Sequence, residues 1–187
     1  ITQRSPDEIR ELSKFKKPIF YDGKFFDIKN TLVESVKSLE DLNVSYATVH
    51  LLNGLDALKA ANEAAKNINL KLLGVSVLTS FGDKDLNALG FHNNVEDQVK
   101  KLIEIAMAAD LYGVICSPLE VKMIKKIAPN LQCFTPGIRM SDIKDDQKRT
   151  MSANEAIKEG SDCLIIGRPI TKGNPKENIK NILLSID

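Results

Sequence analysis

The stretch "YDGKFFDIKNT", Tyr21 to Thr31, holds two acids and a lysine within six positions, Asp22, Lys24 and Asp27, directly after an apolar run that reads as a β-strand. In a strand, side chains two apart share a face, so Asp22 and Lys24 point together from the strand end. Asp27 is out of phase with them. It lies five positions from Asp22, past the strand end and before the helical segment "NTLVESVKSLEDL", where it can be aimed sideways toward another subunit. A lysine held between carboxylates keeps its proton, and its ammonium is then both a positioned acid and a counter-charge for negative charge developing beside it. That equipment suits a carbanion-forming reaction. The plain alternative is a solvated ion pair at a strand end, worth about 0–1 kcal/mol.

A second constellation suits an anion. "TPGIRMSDIKDDQKR", Thr135 to Arg149, is a Pro136–Gly137 turn after a strand, followed by a polar loop with Arg139 and Gln147. "IIGRPI" then places Gly167 and Arg168 at the end of the last strand. Glycine permits close backbone approach and arginine bidentate contact, the pairing that phosphate sites use in the final two loops of a barrel. A monophosphate fits this description. Hydroxyls end two further strands, Thr79 and Ser80 in "SVLTSFG" and Ser117 in "ICSPLE". They can hydrogen-bond the polar edge of a ring, or simply cap helices. Capping is the natural reading for Ser117, which is followed by Pro118 and, three positions on, by Glu120. His50, closing "TVH", reads as a hydrogen-bonded structural residue, and His92 in "LGFHNNVED" receives no role.

The elements that must position these groups are short and apolar. Strands are expected in "KPIFYD", "YATVHLL", "LKLLGVSVL", "YGVICS", "LQCFTPG" and "CLIIGR". Between them run helical segments such as "VEDQVKKLIEIAMAAD", where Val95, Val99, Leu102, Ile103 and Ala106 share one face. Strands this apolar on both faces suit a parallel sheet covered by helices, either doubly wound or closed as a (β/α)8 barrel. Polar residues follow nearly every strand, as a barrel's single active face requires, and no glycine-rich dinucleotide fingerprint opens a helix. The expected fold is therefore α/β, a (β/α)8 TIM barrel with about six βα units present. It would form a single barrel domain over 1–187, N-terminally incomplete, because "SPDEIRELSKF" already reads as a helix with Ser5 as N-cap and Pro6 at its first position.

The chain has 187 residues, 43% of them hydrophobic and 27% charged, enough for one sizeable core. Its 26 basic and 25 acidic residues nearly cancel, so no broad field favours nucleic acid or an anionic membrane. No apolar run approaches the roughly 20 residues that span a bilayer, and the N-terminal segment has no apolar signal region, so a cytoplasmic location is expected. Cys116, Cys133 and Cys163 sit singly in apolar runs without metal or redox spacing, and are expected to be buried core residues.

These residues resemble a known family. "DGKFFD" is similar to the D-x-K-x-x-D signature of orotidine 5'-phosphate decarboxylases, and "TVH", "VLTS", "CSPLE", "TPGIR" with Gln147 downstream, and "IIGRPIT" follow in that family's order across essentially the whole chain. The resemblance implies a homodimeric barrel with shared active sites. It would convert orotidine 5'-monophosphate to uridine 5'-monophosphate and carbon dioxide, in de novo pyrimidine biosynthesis, without metal or organic cofactor. Lys24 would be the proton donor to pyrimidine C6, Asp22 the carboxylate crowding the substrate carboxylate, and Asp27 and Thr31 would enter from the neighbouring subunit. Thr79 would lie along the substrate wall and Ser117 would bond the pyrimidine edge. Pro136 and Arg139 belong to the substrate-binding loop, and Gln147, Gly167 and Arg168 would hold the phosphate. The chain departs from the family pattern in "NG" at 53–54, where a glycine pair is usual, and in Met140, where a proline is usual. The family's first two strands, with their aspartate and second lysine, are not found in it. A magnesium-dependent sugar-phosphate decarboxylase or aldolase of the same superfamily shares D-x-K-x-x-D, but "TPGIR" with Gln147 argues against it. The alternative of another class is a non-catalytic barrel that binds phosphate ligands.

Overall fold

A computed structural model describes residues 6–139 and 149–186. Ser5, Met140 and Gln147, on which expectations rest above, lie outside them. In chain order the elements are α1 (Pro6–Ser13), β1 (Phe20–Phe25), α2 (Lys29–Lys37), β2 (Tyr46–His50), α3 (Leu55–Asn67), β3 (Lys71–Val75), α4 (Asp83–Ala88) and α5 (Val95–Ala108). There follow β4 (Gly113–Ile115), α6 (Val121–Ile127), β5 (Gln132–Thr135), α7 (Ala153–Lys158), β6 (Cys163–Leu164), α8 (Arg168–Thr171) and α9 (Pro175–Leu184). All six expected strands form, and they are ordered β1-β2-β3-β4-β5-β6 in one sheet. A doubly wound sheet reverses its strand order at a switch point, whereas a barrel wall keeps sequence order. The fold is the barrel type, with six strands among the described residues.

The chain divides into two compact units, Ile1–Val75 with Glu104–Gly113, and Ser76–Ile103 with Val114–Asp187. In the first, β2 and β3 run parallel in unbroken register from Tyr46 opposite Lys71 to His50 opposite Val75. Ala47, Thr48 and Val49 are buried in succession, as are Leu72 and Leu73, because both faces of a parallel sheet are covered. Helix α2 buries Leu32 and Val36, and α3 buries Leu58, Ala61 and Ala65, at the spacings that put them on one helical face. Each buried leucine contributes about 1.5–3 kcal/mol. The one buried amide of α3 is satisfied: Asn62 Nδ2 donates to Ala109 O at 3.1 Å and Asp110 O at 2.7 Å.

In the second unit, β5 and β6 pair in parallel with Phe134 opposite Cys163. An apolar cluster of Ile138, Ala153, Ala156 and Ile182 packs with Met151, Leu164 and Ile166. It seats the chain just after β5, where Ile138 bridges to Met151. Helix α5, whose residues from Glu104 on belong to the first unit, buries Val99, Leu102, Ile103 and Ala106 as its periodicity predicts, with Val95 half-buried.

Expectations about burial and about strand ends need correction. Cys116 and Cys133 are buried, but Cys163 is exposed. It stands on β6, the last strand in the sheet order, and no further described strand covers it. The first strand, expected to end at Asp22, runs on to Phe25. Among the described residues no helix is long and apolar enough to cross a membrane.

Candidate active site

The pairing of β1 with β2 is not regular. Phe20 lies opposite Tyr46 and Tyr21 opposite Ala47, but the next partners are Phe25 and Val49, so four positions along β1 match two along β2. The slack is a bulge at Asp22-Gly23-Lys24, and Lys24 takes a left-handed backbone, φ +45°. Strand alternation alone therefore does not bring Asp22 and Lys24 together; the bulge does. Lys24 Nζ donates to Asp22 Oδ2 in an ion pair whose two side chains are both about half exposed. Gly23 lies between them, and a Cβ there would run into the ring edge of Tyr21.

Thr48 fastens the bulge. Its Oγ1 accepts the Lys24 backbone N–H at 2.8 Å and donates to Asp22 Oδ1 at 2.9 Å, from a fully buried position on β2. Sequence reasoning passed over this residue. The available signal was a hydroxyl inside the otherwise apolar "YATVHLL", since a buried hydroxyl needs a partner. Asn53 fastens the chain that follows. Its Nδ2 donates to Phe25 O at 2.9 Å and His50 O at 2.7 Å, while its Oδ1 accepts Asp27 N–H at 2.9 Å.

Asp27 stands beyond β1 on exposed chain, its Oδ1 accepting the Ile28 N–H at 2.7 Å. It joins neither Asp22 nor Lys24. Thr31 is exposed on α2. The side chains flanking Asp27, Phe26 and Ile28, are 64% and 75% exposed, unusual for residues so apolar. His50 fits its structural reading: Nδ1 accepts Leu52 N–H at 3.3 Å, the ring lies 5.6 Å from Phe26, and burial pushes its pKa down.

In the second unit, Thr79 and Ser80 occupy a turn closed by Phe81 N–H donating to Leu78 O at 2.9 Å. Ser117 is fully buried and caps a 3₁₀ turn over Pro118–Glu120: its Oγ accepts Leu119 N–H at 3.3 Å, and Glu120 Oε2 accepts Ser117 N–H at 3.0 Å. Where a Pro136–Gly137 turn is expected, Gly137 has φ +84°, where a side chain is disfavoured. Two residues on, Arg139 Nη1 donates to Ile138 O and its backbone N–H donates to Met151 O. Gly167 and Arg168 are exposed at the start of α8. No atom lies within 4 Å of a Cβ built on Gly167, so packing does not demand this glycine, and the space beside it is open to a ligand. An open cleft of about 660 Å³ has Glu120 and Arg149 in its wall, with Leu119, Met123 and Ile127, and none of the expected site residues lines it. Among the described residues, no three His, Cys, Asp or Glu side chains gather as a metal cage.

Six parallel strands in sequence order, alternating with helices, define a protein of the barrel class. The chain belongs to the orotidine 5'-phosphate decarboxylase / HUMPS family, whose model matches residues 1–182. A Wolbachia pipientis subsp. Culex pipiens (strain wPip) protein named orotidine 5'-phosphate decarboxylase is 40% identical over 183 residues, 97% of this chain and 81% of the relative. A protein of that name from Legionella pneumophila (strain Corby) is 41% identical over 188 residues, covering 97% and 82%. The crystal structure of orotidine 5'-phosphate decarboxylase from Lactobacillus acidophilus superposes with a TM-score of 0.85 at 32% identity, covering 98% of this chain and 81% of that one.

Proposed function

We propose that this protein decarboxylates orotidine 5'-monophosphate to uridine 5'-monophosphate in pyrimidine biosynthesis, with Asp22, Lys24 and Asp27 as its catalytic groups. The observation that carries the reading is the bulge at the end of β1, which holds the Lys24 ammonium on Asp22 with Thr48 fastening both. When the bond from C6 to the substrate carboxylate breaks, its electron pair stays on C6 and carbon dioxide leaves uncharged. Lys24 meets that charge and then transfers a proton from Nζ to C6. Asp22 keeps the ammonium in place and repels the substrate carboxylate. At 4 Å and an effective dielectric near 20, two such charges repel by about 4 kcal/mol, which is relieved as carbon dioxide departs.

Thr79 lies along the substrate and Ser117 offers its hydroxyl to the pyrimidine edge. Pro136 and Arg139 belong to the substrate-binding loop, and Gln147, Gly167 and Arg168 hold the phosphate. The open space at Gly167 supports that assignment. Phosphate binding, remote from the reacting carbon, supplies energy that holds the strained arrangement. The protein acts as a cytoplasmic homodimer of single barrel domains, each lending Asp27 and Thr31 to the other's site. The exposed Phe26 and Ile28 on either side of Asp27 support an interface there.

The test is Lys24→Ala, assayed for turnover and for binding of uridine 5'-monophosphate. Turnover should fall by far more than tenfold while product binding stays close to the parent, because the lysine acts on charge present only in the transition state. Turnover within tenfold of the parent would overturn the assignment. Parental activity should also survive EDTA; loss that magnesium alone restores would favour the sugar-phosphate reading.

A further inference from the structure

Arg149 and Glu120 form an ion pair that the chemistry above does not use. Both are largely buried, their side chains 13% and 7% exposed. Each also holds backbone that leads to a residue assigned above to the substrate. Glu120 directs Oε1 to Arg149 Nη1 and Oε2 to the Ser117 N–H, so one carboxylate joins the arginine to the cap that carries the Ser117 hydroxyl. Arg149 directs Nη2 to Val77 O at 3.2 Å and Leu78 O at 2.9 Å. Leu78 O is the carbonyl that closes the turn holding Thr79 and Ser80, so its second lone pair is committed to Arg149. Thr79 follows β3 and Ser117 follows β4, and these two side chains link the segments that carry them, beside the direct bonds from Ser76 N–H and Oγ to Ile115 O.

The pair is poorly suited to a purely stabilising role. Desolvating two charges offsets most of their attraction, and a matched apolar pair is often as stable or more so. Arg149 Nε is moreover buried without a partner among the described residues, a further desolvation cost that nothing there offsets. An arrangement that accepts this loss is explained by what it orients.

We infer that Arg149 and Glu120 are positioning residues for the base of the nucleotide, setting Ser117 and the Thr79 turn at the spacing that the pyrimidine edge requires. The inference rests on the nucleotide reading proposed above. It differs from a general packing role in one respect: it concerns recognition of the base and not of the phosphate.

Removing one member would leave a buried charge unpaired and threaten folding, so the informative variant is the double neutral one, Glu120→Gln with Arg149→Met. Its glutamine oxygen can still accept the Ser117 N–H. Dissociation constants would be measured calorimetrically for uridine 5'-monophosphate and for ribose 5-phosphate, which lacks the base, with a thermal melt to verify folding. The nucleotide should bind about tenfold or more weakly, the loss of one or two well-placed hydrogen bonds, while ribose 5-phosphate stays within about twofold. Equal losses for both ligands, or no loss for either, would overturn the inference while leaving the nucleotide reading intact. A parent that binds neither ligand would overturn both.

Discussion

A hydroxyl decides the geometry of the lysine–carboxylate pair. Thr48 accepts from the Lys24 backbone and donates to Asp22, so Thr48→Val, nearly equal in shape, strips both at once. The Lys24 N–H then loses its acceptor, and the variant should lose about 1–3 kcal/mol in urea unfolding together with most of its turnover. Thr48→Ser should retain both, and a valine variant as active as the parent would show that the bulge holds itself. His50 supplies a second residue-level expectation. Burial lowers its pKa, so the folded chain binds the proton less tightly than the unfolded one. Above the ordinary histidine value, about 6.5, both states are neutral; below it the unfolded chain charges first, and stability declines as pH falls until the folded-state value is passed. Comparing urea midpoints at neutral and mildly acidic pH, His50→Asn should show the shallower decline, since its amide oxygen can still accept from Leu52 without titrating. The reactive side chains are legible in the sequence because their types and order are distinctive. Thr48, Asn53 and Arg149 are not, because their partners are backbone or carboxylate groups at sequence separations of 24, 28 and 71 that only folding brings near.

Among the elements, hydrophobic pattern locates every strand but misjudges where the strands stop, as the first and the last illustrate. "KPIFYD" reads as ending at Asp22, since charge normally marks exit from a buried sheet, yet β1 continues through the bulge to pair Phe25 with Val49. "CLIIGR" reads as one strand, but β6 covers only Cys163–Leu164 before Gly167 turns the chain into α8. Neither end is set by local propensity; each depends on what the neighbouring strand offers. Gly23 is where this can be tested. Its missing side chain lets the Tyr21 and Phe25 rings approach to 5.6 Å, so Gly23→Ala should be destabilising by about 1–3 kcal/mol through overpacking. A thermal midpoint equal to the parent's would mean that the rings swing aside freely.

For the whole molecule, alternating strands and helices leave a doubly wound sheet or a barrel, polar residues after the strands with no glycine-rich fingerprint choose the barrel, and the sequence-ordered sheet agrees. Assembly is legible only through the phase of Asp27, and the bulge removes the regular alternation on which that phase depends. The proposal of a shared site leans instead on the exposed Phe26 and Ile28. It makes a quantitative claim. If inactive Lys24→Ala and Asp27→Ala proteins exchange subunits, each mixed dimer has one site with both residues and one with neither, and random mixing should restore about a quarter of parental activity. Activity that stays at the level of the separate variants, with exchange independently verified, would place Asp27 in its own subunit's site.

The bulge also bears on how such a protein can change over generations. Tyr21 before it and Phe25 after it are held by ordinary ladder partners, and the two positions of slack are absorbed in between. Side-chain substitutions at Lys24 are thereby insulated from the register of the sheet, and one at Asp22 has only the Thr48 hydroxyl to satisfy. A lineage can try new chemistry at this strand end while inheriting an unaltered barrel wall.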